Sequence, residues 1–301
     1  MAMKNPLFQV WLLAFIAITW SCSDGDDNLK TTGTINAFLV DAPFPTDQVA
    51  EANVTIFKVD ARLSDPDFET GRGEDGDGGF VTLMETSENE PVNLLDLVNG
   101  VSLQLVAAEV PAGTYDLVRV YVDAAEVVMN DNAGTTYDLK VPSGAQSGIK
   151  IFLDPPLQVA GGLTEDLLLD FDVSQSFVPK GGSAQNPDGI TGFNFKPVLR
   201  GSNLSTTGTV YGQVTSETES GPEALPGASV TLLTLEGETA GATFSDADGN
   251  YMLQGIDAGL YTLEVTLAGF EPYTADGVEV IPANKTEQQV VLLATARATG
   301  D

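Results

Sequence analysis

Hydrophobic residues along this chain fall into short runs that glycine, proline, asparagine and aspartate interrupt every few positions. The runs are rich in valine, threonine, leucine, tyrosine and phenylalanine, which favour extended strands over helices. Over residues 261–267 apolar and polar side chains alternate without a break, as in a strand with one face in water. Residues 166–173 alternate in the same way, with mostly aspartate on the polar side. The chain is therefore predicted to be all-β.

With 301 residues, the chain has the length of about two ordinary domains. We predict two tandem antiparallel β-sandwiches, joined by a polar, unpatterned linker. In the first sandwich a helix of about two turns is predicted over residues 93–100, where a glycine ends it. The predicted segments are a first sandwich over 32–202, a linker over 203–207, a second sandwich over 208–295 and a tail over 296–301. The strands predicted in the first sandwich span residues 34–40, 52–63, 115–123, 148–153, 166–173 and 193–200.

The composition excludes several kinds of partner and chemistry. The chain carries 43 acidic residues against 13 basic ones, a formal net charge of -30. A surface this acidic repels phosphate backbones, which excludes nucleic acid as a partner. The simplest role of the negative charge is to keep the protein soluble. The chain contains no histidine. This removes histidine-dependent catalytic triads and the commonest zinc ligand.

The first residues have the pattern of a secretory leader. Lys4 precedes an apolar stretch over residues 7–20, which is short for a transmembrane helix and typical of a signal peptide. The stretch ends at Thr19-Trp20-Ser21-Cys22, a junction that resembles the lipobox of bacterial lipoproteins. The resemblance implies that residues 1–21 are removed and that Cys22 is acylated, which would anchor the protein to a membrane. Ordinary signal cleavage and retention of the leader as an anchor are the alternatives.

Residues 22–31 would form a tether behind this anchor. Ser23 occupies the position where aspartate would signal retention in the inner membrane, and residues 24–27 are mostly acidic. The acidic run resembles the surface-export tether of some Gram-negative lipoproteins, and a solvated spacer is the alternative. We therefore expect a protein that is lipid-anchored in the outer membrane and exposed at the cell surface.

Short motifs are spread along the first predicted sandwich: Val40-Asp41-Ala42-Pro43, Val92-Asn93-Leu94-Leu95, Pro111-Ala112-Gly113-Thr114-Tyr115, Val141-Pro142-Ser143-Gly144 and Phe195-Lys196-Pro197-Val198-Leu199. Together they resemble a family of secreted bacterial lipoprotein domains to which no function is assigned. The similarity covers nearly the whole segment. It implies a β-sandwich and brings no chemistry.

A second set of motifs follows in order along residues 208–214, 225–230, 245–251, 259–261 and 268–270. This series resembles the carboxypeptidase regulatory-like domain, a seven-stranded transthyretin-like sandwich that is grouped with carbohydrate-binding-like folds. The resemblance implies a spacer, docking or sugar-binding module that is not itself catalytic. The two predicted sandwiches also share a local pattern, since a glycine turn precedes Tyr115 in the first and Tyr261 in the second. We interpret this as one hairpin geometry used twice rather than as a true repeat.

Two acidic segments could bind calcium. The loop over residues 65–77 offers Asp65, Asp67, Asp75 and Asp77, but its spacing does not match an EF-hand, and a mobile acidic loop is the favoured interpretation. Residues 246–250 superficially resemble a calcium loop too, and a hairpin turn closed by a glycine is favoured there. No cofactor is therefore predicted, with Ca²⁺ as a weak possibility.

Asp170 and Asp172 are the candidate catalytic pair. Two steps apart on one strand, their side chains would share a face about 7 Å apart, inside the window of about 6.5–9.5 Å for inverting glycosidases. An ordinary pair on an exposed strand face is favoured over catalysis. Core packing is likewise favoured over a sugar-stacking platform for the aromatic residues Tyr121, Tyr137, Phe177, Phe193, Tyr211, Tyr251 and Tyr273.

The sequence thus predicts a non-catalytic, extracytoplasmic binding module. Carbohydrate or another surface polymer is the leading ligand, by analogy of fold alone. A structural or adhesion component that docks a partner protein is the second hypothesis. A carboxylate-based glycoside hydrolase is the remote third.

Overall fold

A computed structural model describes residues 31–42, 48–64, 79–88, 90–131, 133–142, 144–181 and 189–295. Within these residues 66% are in strands and 4% in helices, and the strands form two successive groups, which confirms the predicted all-β class. The helical elements bounded within the described residues are one 3₁₀ turn over Leu94–Asp96 and two four-residue turns, α1 (Gly144–Ser147) and α2 (Val173–Ser176). The two-turn helix predicted over 93–100 is therefore wrong in length, because Asn93 caps a single turn by accepting a hydrogen bond from the Leu95 amide.

Two sheets face each other in the first sandwich. One has the order β12-β9-β1-β5, and the other places β2 and β6 at its centre, with β3 and β4 on β2 and with β7 and β8 on β6. The hairpin β10-β11 forms a separate two-stranded sheet. The strands are β1 (Thr32–Ala42), β2 (Val49–Leu63), β3 (Phe80–Glu85), β4 (Val92–Asn93), β5 (Leu103–Pro111), β6 (Gly113–Met129), β7 (Thr136–Leu139), β8 (Ile149–Val159), β9 (Thr164–Asp172), β10 (Phe177–Lys180), β11 (Gly192–Phe195) and β12 (Leu199–Asn203).

The second sandwich repeats this architecture on a smaller scale. One sheet has the order β14-β13-β17, with β20 and β21 also on β13, and the other has the order β16-β15-β18-β19. Inward-facing Val210 and Tyr251 from the first sheet meet Val230, Leu232 and Leu263 from the second, and all five are buried. The strands are β13 (Thr207–Thr218), β14 (Gly221–Ala224), β15 (Ser229–Leu233), β16 (Thr239–Phe244), β17 (Asn250–Asp257), β18 (Gly259–Thr266), β19 (Tyr273–Val280), β20 (Lys285–Glu287) and β21 (Val290–Val291).

Not every strand pair is antiparallel. The β1 strand runs parallel to β9, and β13 runs parallel to β20 and β21. Parallel neighbours need a long crossover connection, and here most of the first sandwich lies between β1 and β9 along the chain. The parallel pair has a consequence for function, because the carboxyl ends of β1 and β9 lie side by side at one edge of their sheet.

The glycine turns before Tyr115 and Tyr261 are not hairpins. Each carries the chain from one sheet to the facing sheet, from β5 to β6 in the first sandwich and from β17 to β18 in the second. In both, the tyrosine hydroxyl donates to the carbonyl oxygen four residues upstream, at 2.8 Å, to Pro111 and to Asp257 respectively. This is the tyrosine corner of Greek-key sandwiches. The two sandwiches therefore share one local geometry, as predicted, but it connects two facing sheets instead of forming a hairpin.

The turn over residues 246–250 also joins facing sheets, since β16 and β17 belong to different ones. Asp246 accepts hydrogen bonds from the amides of Asp248 and Asn250, at 2.9 and 2.8 Å. Gly249 has a φ of 76°, which the turn requires. The turn interpretation is thus supported, although the turn does not close a hairpin.

The two sandwiches follow each other through a short hydrogen-bonded connection. Asn203 ends β12, and its side-chain oxygen accepts from the Ser205 amide at 2.8 Å. The hydroxyl of Thr207, the first residue of β13, donates to the Asn203 carbonyl at 2.9 Å, and the Leu204 amide donates to the carbonyl of Asp166 on β9 at 3.0 Å. These bonds fasten the connection to the first sandwich.

Candidate binding cleft between the sandwiches

A cleft of about 430 Å³ lies where the two sandwiches meet. The first sandwich contributes the carboxyl ends of β1 and β9, the loop after the 3₁₀ turn, α2, and Arg200 and Ser202 of β12. The second sandwich contributes parts of β15, β16 and β17. A cavity of this size, built from several elements of two domains, is where a small ligand or part of a polymer binds most often.

The acidic wall of the cleft follows from the parallel pairing of β1 and β9. Their register places Val40 beside Asp170 and Asp41 beside Phe171. Phe171 faces the core and is fully buried, so its neighbours Asp170 and Asp172 project from the other side of the sheet. Asp41, Asp170 and Asp172 all line the cleft.

Asp172 mainly has a structural role. Its Oδ1 accepts from the amide of Gln175 at 3.0 Å and from the hydroxyl of Ser174 at 2.7 Å, which caps α2. The amide of Val173 donates to Asp41 Oδ1 at 3.1 Å. Two carboxylates therefore hold α2 against the end of the sheet.

Asp170 is electrostatically different. Burial is the main cause that raises the pKa of this carboxyl to about 6. The nearby Arg200 guanidinium lowers the pKa, and the negative charge of Asp172 raises it further. Arg200 lies 3.8 Å from an oxygen of Asp170 and 3.8 Å from an oxygen of Asp172, while half of its side chain stays exposed. Asp170 keeps 28% of its side chain exposed, so its carboxyl can still meet a ligand from solvent.

The opposite wall is less charged. Phe244, Met252 and Gln254 line the cleft from the second sandwich, and each is half-buried. Thr243 closes one end of the cleft by donating its hydroxyl to Asn99 Oδ1 across the junction, at 3.0 Å. The cleft thus combines carboxylates, a guanidinium, amides and an aromatic ring.

Close backbone packing forms the floor of the cleft. The Ser202 hydroxyl donates to the carbonyl of Gly255 at 3.2 Å. A Cβ atom at Gly255 would lie 3.0 Å from both Leu168 Cδ2 and Ser202 Oγ. Leu168 is only 2% exposed although it lies on the polar side of the predicted alternation, because the second sandwich covers it. Beyond this contact lies a second groove of about 490 Å³, which shares Arg200, Ser202 and Gly255 with the cleft.

The structure brings the predicted pair Asp170 and Asp172 into one site, but not onto an exposed face. Asp172 is 5% exposed, because α2 and the second sandwich enclose that end of β9. The sequence analysis missed Asp41, Asn99 and Gln254, which come from distant parts of the chain. The motif around Asp41 was a signal, since a carboxylate directly follows the apolar run over residues 37–40.

The other predicted sites can be compared with the structure only in part. Cys22 and the calcium candidates Asp65, Asp67, Asp75 and Asp77 fall outside the described residues. In the part of the chain that the structure describes, acidic and cysteine side chains form no group of three or more that could hold a metal ion. No helix among those residues has the length and apolar character of a membrane span. The seven aromatic candidates are buried or half-buried, which supports packing.

Comparison with curated proteins gives no match. Among solved structures, a minor pilin of Streptococcus agalactiae is 10% identical over 88% of this chain and 98% of its own, with a TM-score of 0.27. The shaft pilin SpaA of Lactobacillus rhamnosus GG is 11% identical over 89% and 99%, with a TM-score of 0.26. A chain of a cohesin–X-dockerin complex from Acetivibrio cellulolyticus is 17% identical, with a TM-score of 0.24. That match covers 29% of this chain and 58% of the other one. Likenesses this distant carry no functional argument.

Two families match the sequence directly. Residues 209–293 match the carboxypeptidase regulatory-like domain. Residues 32–197, more than half of the chain, match a family described as a domain of unknown function, DUF4382. The resemblance of each of the two sandwiches to its family is thereby confirmed. The chain belongs to the DUF4382 family and carries a carboxypeptidase regulatory-like domain behind its family domain.

Proposed function

We propose that this protein is a non-catalytic binding module outside the cytoplasm and that it holds a carbohydrate in the cleft between its sandwiches. The observation that carries the proposal is the mixed lining of the cleft. Sugar hydroxyls both donate and accept hydrogen bonds, and the amides of Asn99, Gln175 and Gln254 can do both. Asp170 adds an acceptor and Arg200 a set of donors, while Phe244 offers an apolar ring face.

The charge of the cleft favours a neutral sugar over an acidic one. Asp41, Asp170 and Asp172 outnumber Arg200, so an anionic ligand would meet net repulsion. The carboxypeptidase regulatory-like domain forms one wall of the cleft, and its resemblance to carbohydrate-binding-like folds favours a sugar ligand in general.

Glycoside hydrolysis is the second candidate, and one observation favours it. A carboxyl with its pKa raised to about 6, as at Asp170, has the property of a general acid. Against catalysis, the partner Asp172 is nearly buried and already accepts hydrogen bonds from Ser174 and Gln175. It is therefore poorly placed to activate a water molecule.

The proposal includes the location of the protein. We propose that Cys22 is acylated, that the protein is anchored in the outer membrane and that it faces outward. The leader pattern and the lipobox-like junction support this location. Docking of a partner protein at the cell surface, in a structural or adhesion role, is the alternative use of the same cleft.

A glycan array tests the proposal. Full-length protein, purified in mild detergent, should bind a restricted set of neutral glycans and leave them intact after prolonged incubation. Cleavage of a bound glycan that Asp170→Asn abolishes would establish the hydrolase instead. If no neutral glycan binds, the carbohydrate proposal is wrong and docking of a partner protein becomes the leading hypothesis.

A further inference from the structure

The groove of about 490 Å³ adjoins the cleft, since Arg200 on β12 and Ala240 on β16 line both cavities. The opposite side of the cleft is closed. The Asp41 amide donates to the Leu97 carbonyl at 3.0 Å, which fastens the loop there, and Asn99 in this loop accepts a hydrogen bond from the second sandwich. Because β9 and β1 follow β12 in the sheet, Arg200 and Asn99 lie on opposite sides of the cleft. A ligand longer than the cleft would therefore leave it past Arg200, into the groove.

The aromatic ring of Phe152 lies in the groove beside β12. On the core side of this junction, a Cβ atom at Gly201 would lie 2.6 Å from Leu153 Cδ2 and 2.9 Å from Ile151 Cγ2. Side chains alternate along a strand, so Phe152 projects from the outer face of β8, as Arg200 does from β12. Phe152 is 70% exposed, so its ring face is open to a ligand that has passed Arg200.

The charges of the groove are balanced. Among the described residues that line it, the cations Lys150 and Arg200 are matched by two carboxylates, Asp154 in the middle of β8 and Asp257 at the end of β17. An ion of either sign therefore gains little net attraction. Lys150 and Asp154 lie two positions before and after Phe152, and both are exposed. They offer a donor and an acceptor to the hydroxyl groups of a neutral sugar stacked on the ring.

We propose that the carbohydrate held by this protein is a linear neutral oligosaccharide that spans the cleft and the groove. One sugar binds in the cleft, the chain passes Arg200, and a later sugar stacks on the Phe152 ring. The chain can span both cavities only if a neutral sugar binds in the cleft, so this proposal rests on the proposed function. It adds a minimum length for the ligand and an aromatic subsite outside the cleft.

Calorimetric titration of full-length protein with oligosaccharides of increasing length tests the proposal. The probes are neutral gluco-, manno-, xylo- and galacto-oligosaccharides, from the disaccharide to the hexasaccharide. Within a series that binds, the hexasaccharide should bind at least about tenfold more tightly than the disaccharide, because only the longer chain reaches Phe152 and its polar neighbours.

Three variants separate the groove from the cleft. Phe152→Ala should weaken binding of the hexasaccharide about fivefold and leave binding of the disaccharide unchanged. Leu293→Ala is the matched control, since it removes another apolar side chain, 63% exposed and outside both cavities, and should change neither affinity. Gln254→Ala, in the cleft, should weaken binding of both probes.

The outcomes distinguish this proposal from the proposed function. A hexasaccharide that binds no more tightly than the disaccharide, or that is insensitive to Phe152→Ala, would overturn the spanning chain and leave the cleft as a sugar site. Binding of other neutral glycans on the array, but of none of the four series, would do the same. An effect of Phe152→Ala without any effect of Gln254→Ala would assign the sugar to the groove alone and contradict both proposals. If no neutral glycan binds at all, both proposals are wrong.

Discussion

Replacement of Asp170 by asparagine should stabilise the protein at alkaline pH and have little effect at acidic pH. The pKa of Asp170 is raised from 3.8 to about 6 in the folded protein, chiefly by burial. A group with this shift binds more protons when folded, so the free energy of unfolding falls as the pH rises from about 4 to about 6. Above that range, the ionised carboxyl lowers the free energy of unfolding by at most about 3 kcal/mol. Because 28% of the Asp170 side chain stays exposed, the cost of burying its charge is smaller, and the expected gain for Asp170→Asn is about 1–3 kcal/mol.

Urea unfolding of full-length protein, followed by circular dichroism at about pH 8 and about pH 4, measures this difference. Asp123→Asn is the matched control, since it removes the same charge from an exposed position on β6. We expect Asp170→Asn to exceed wild type in stability at pH 8 and to approach it at pH 4. A variant less stable than wild type at pH 8, or equally stabilised at both pH values, would refute the electrostatic account of the cleft.

Three further predictions concern the corners, the anchor and calcium. Tyr115→Phe and Tyr261→Phe should each lower the free energy of unfolding by about 1–2 kcal/mol in urea titrations, because each variant leaves a carbonyl without its hydrogen-bond donor. The control Tyr211→Phe should change the free energy of unfolding little. Cys22→Ala should release the protein from the membrane fraction, and intact mass should show acyl groups on the wild-type cysteine; an unmodified wild-type N-terminus at another residue would contradict this. Calcium at about 1 mM should shift the melting temperature no more than NaCl of equal ionic strength; a chelator-reversible shift of about ten degrees would reveal a calcium site.

The sequence predicted the strands whose alternation is clean and missed those whose side chains are small or exposed. The predicted strand over 166–173 corresponds to β9 within two residues at its start. The β5 strand was missed, because Ala107 and Ala108 carry little strand preference and much of the strand is exposed. The strand predicted over 193–200 is interrupted between β11 and β12 at Pro197, which has no amide to donate.

The cleft was harder to predict than the fold. Asp170 and Asp172 were identified because two positions along a strand place them on one face. Their neighbours could not be found in this way, since Asp41 reaches Val173 across 132 positions and Asn99 reaches Thr243 across 144. Only the parallel pairing and the junction of the sandwiches bring these residues together. No local pattern encodes either feature.

The most direct test of the cleft as a carbohydrate site is calorimetric titration of one neutral glycan, taken from the array, into three proteins. These are wild type, Gln254→Ala in the cleft and Gln104→Ala, an exposed glutamine of β5 outside it. A lost neutral hydrogen bond costs about 1 kcal/mol, so Gln254→Ala should raise the dissociation constant about fivefold. Gln104→Ala should leave the dissociation constant unchanged. Equal affinity of all three proteins would place the glycan elsewhere and contradict the central claim.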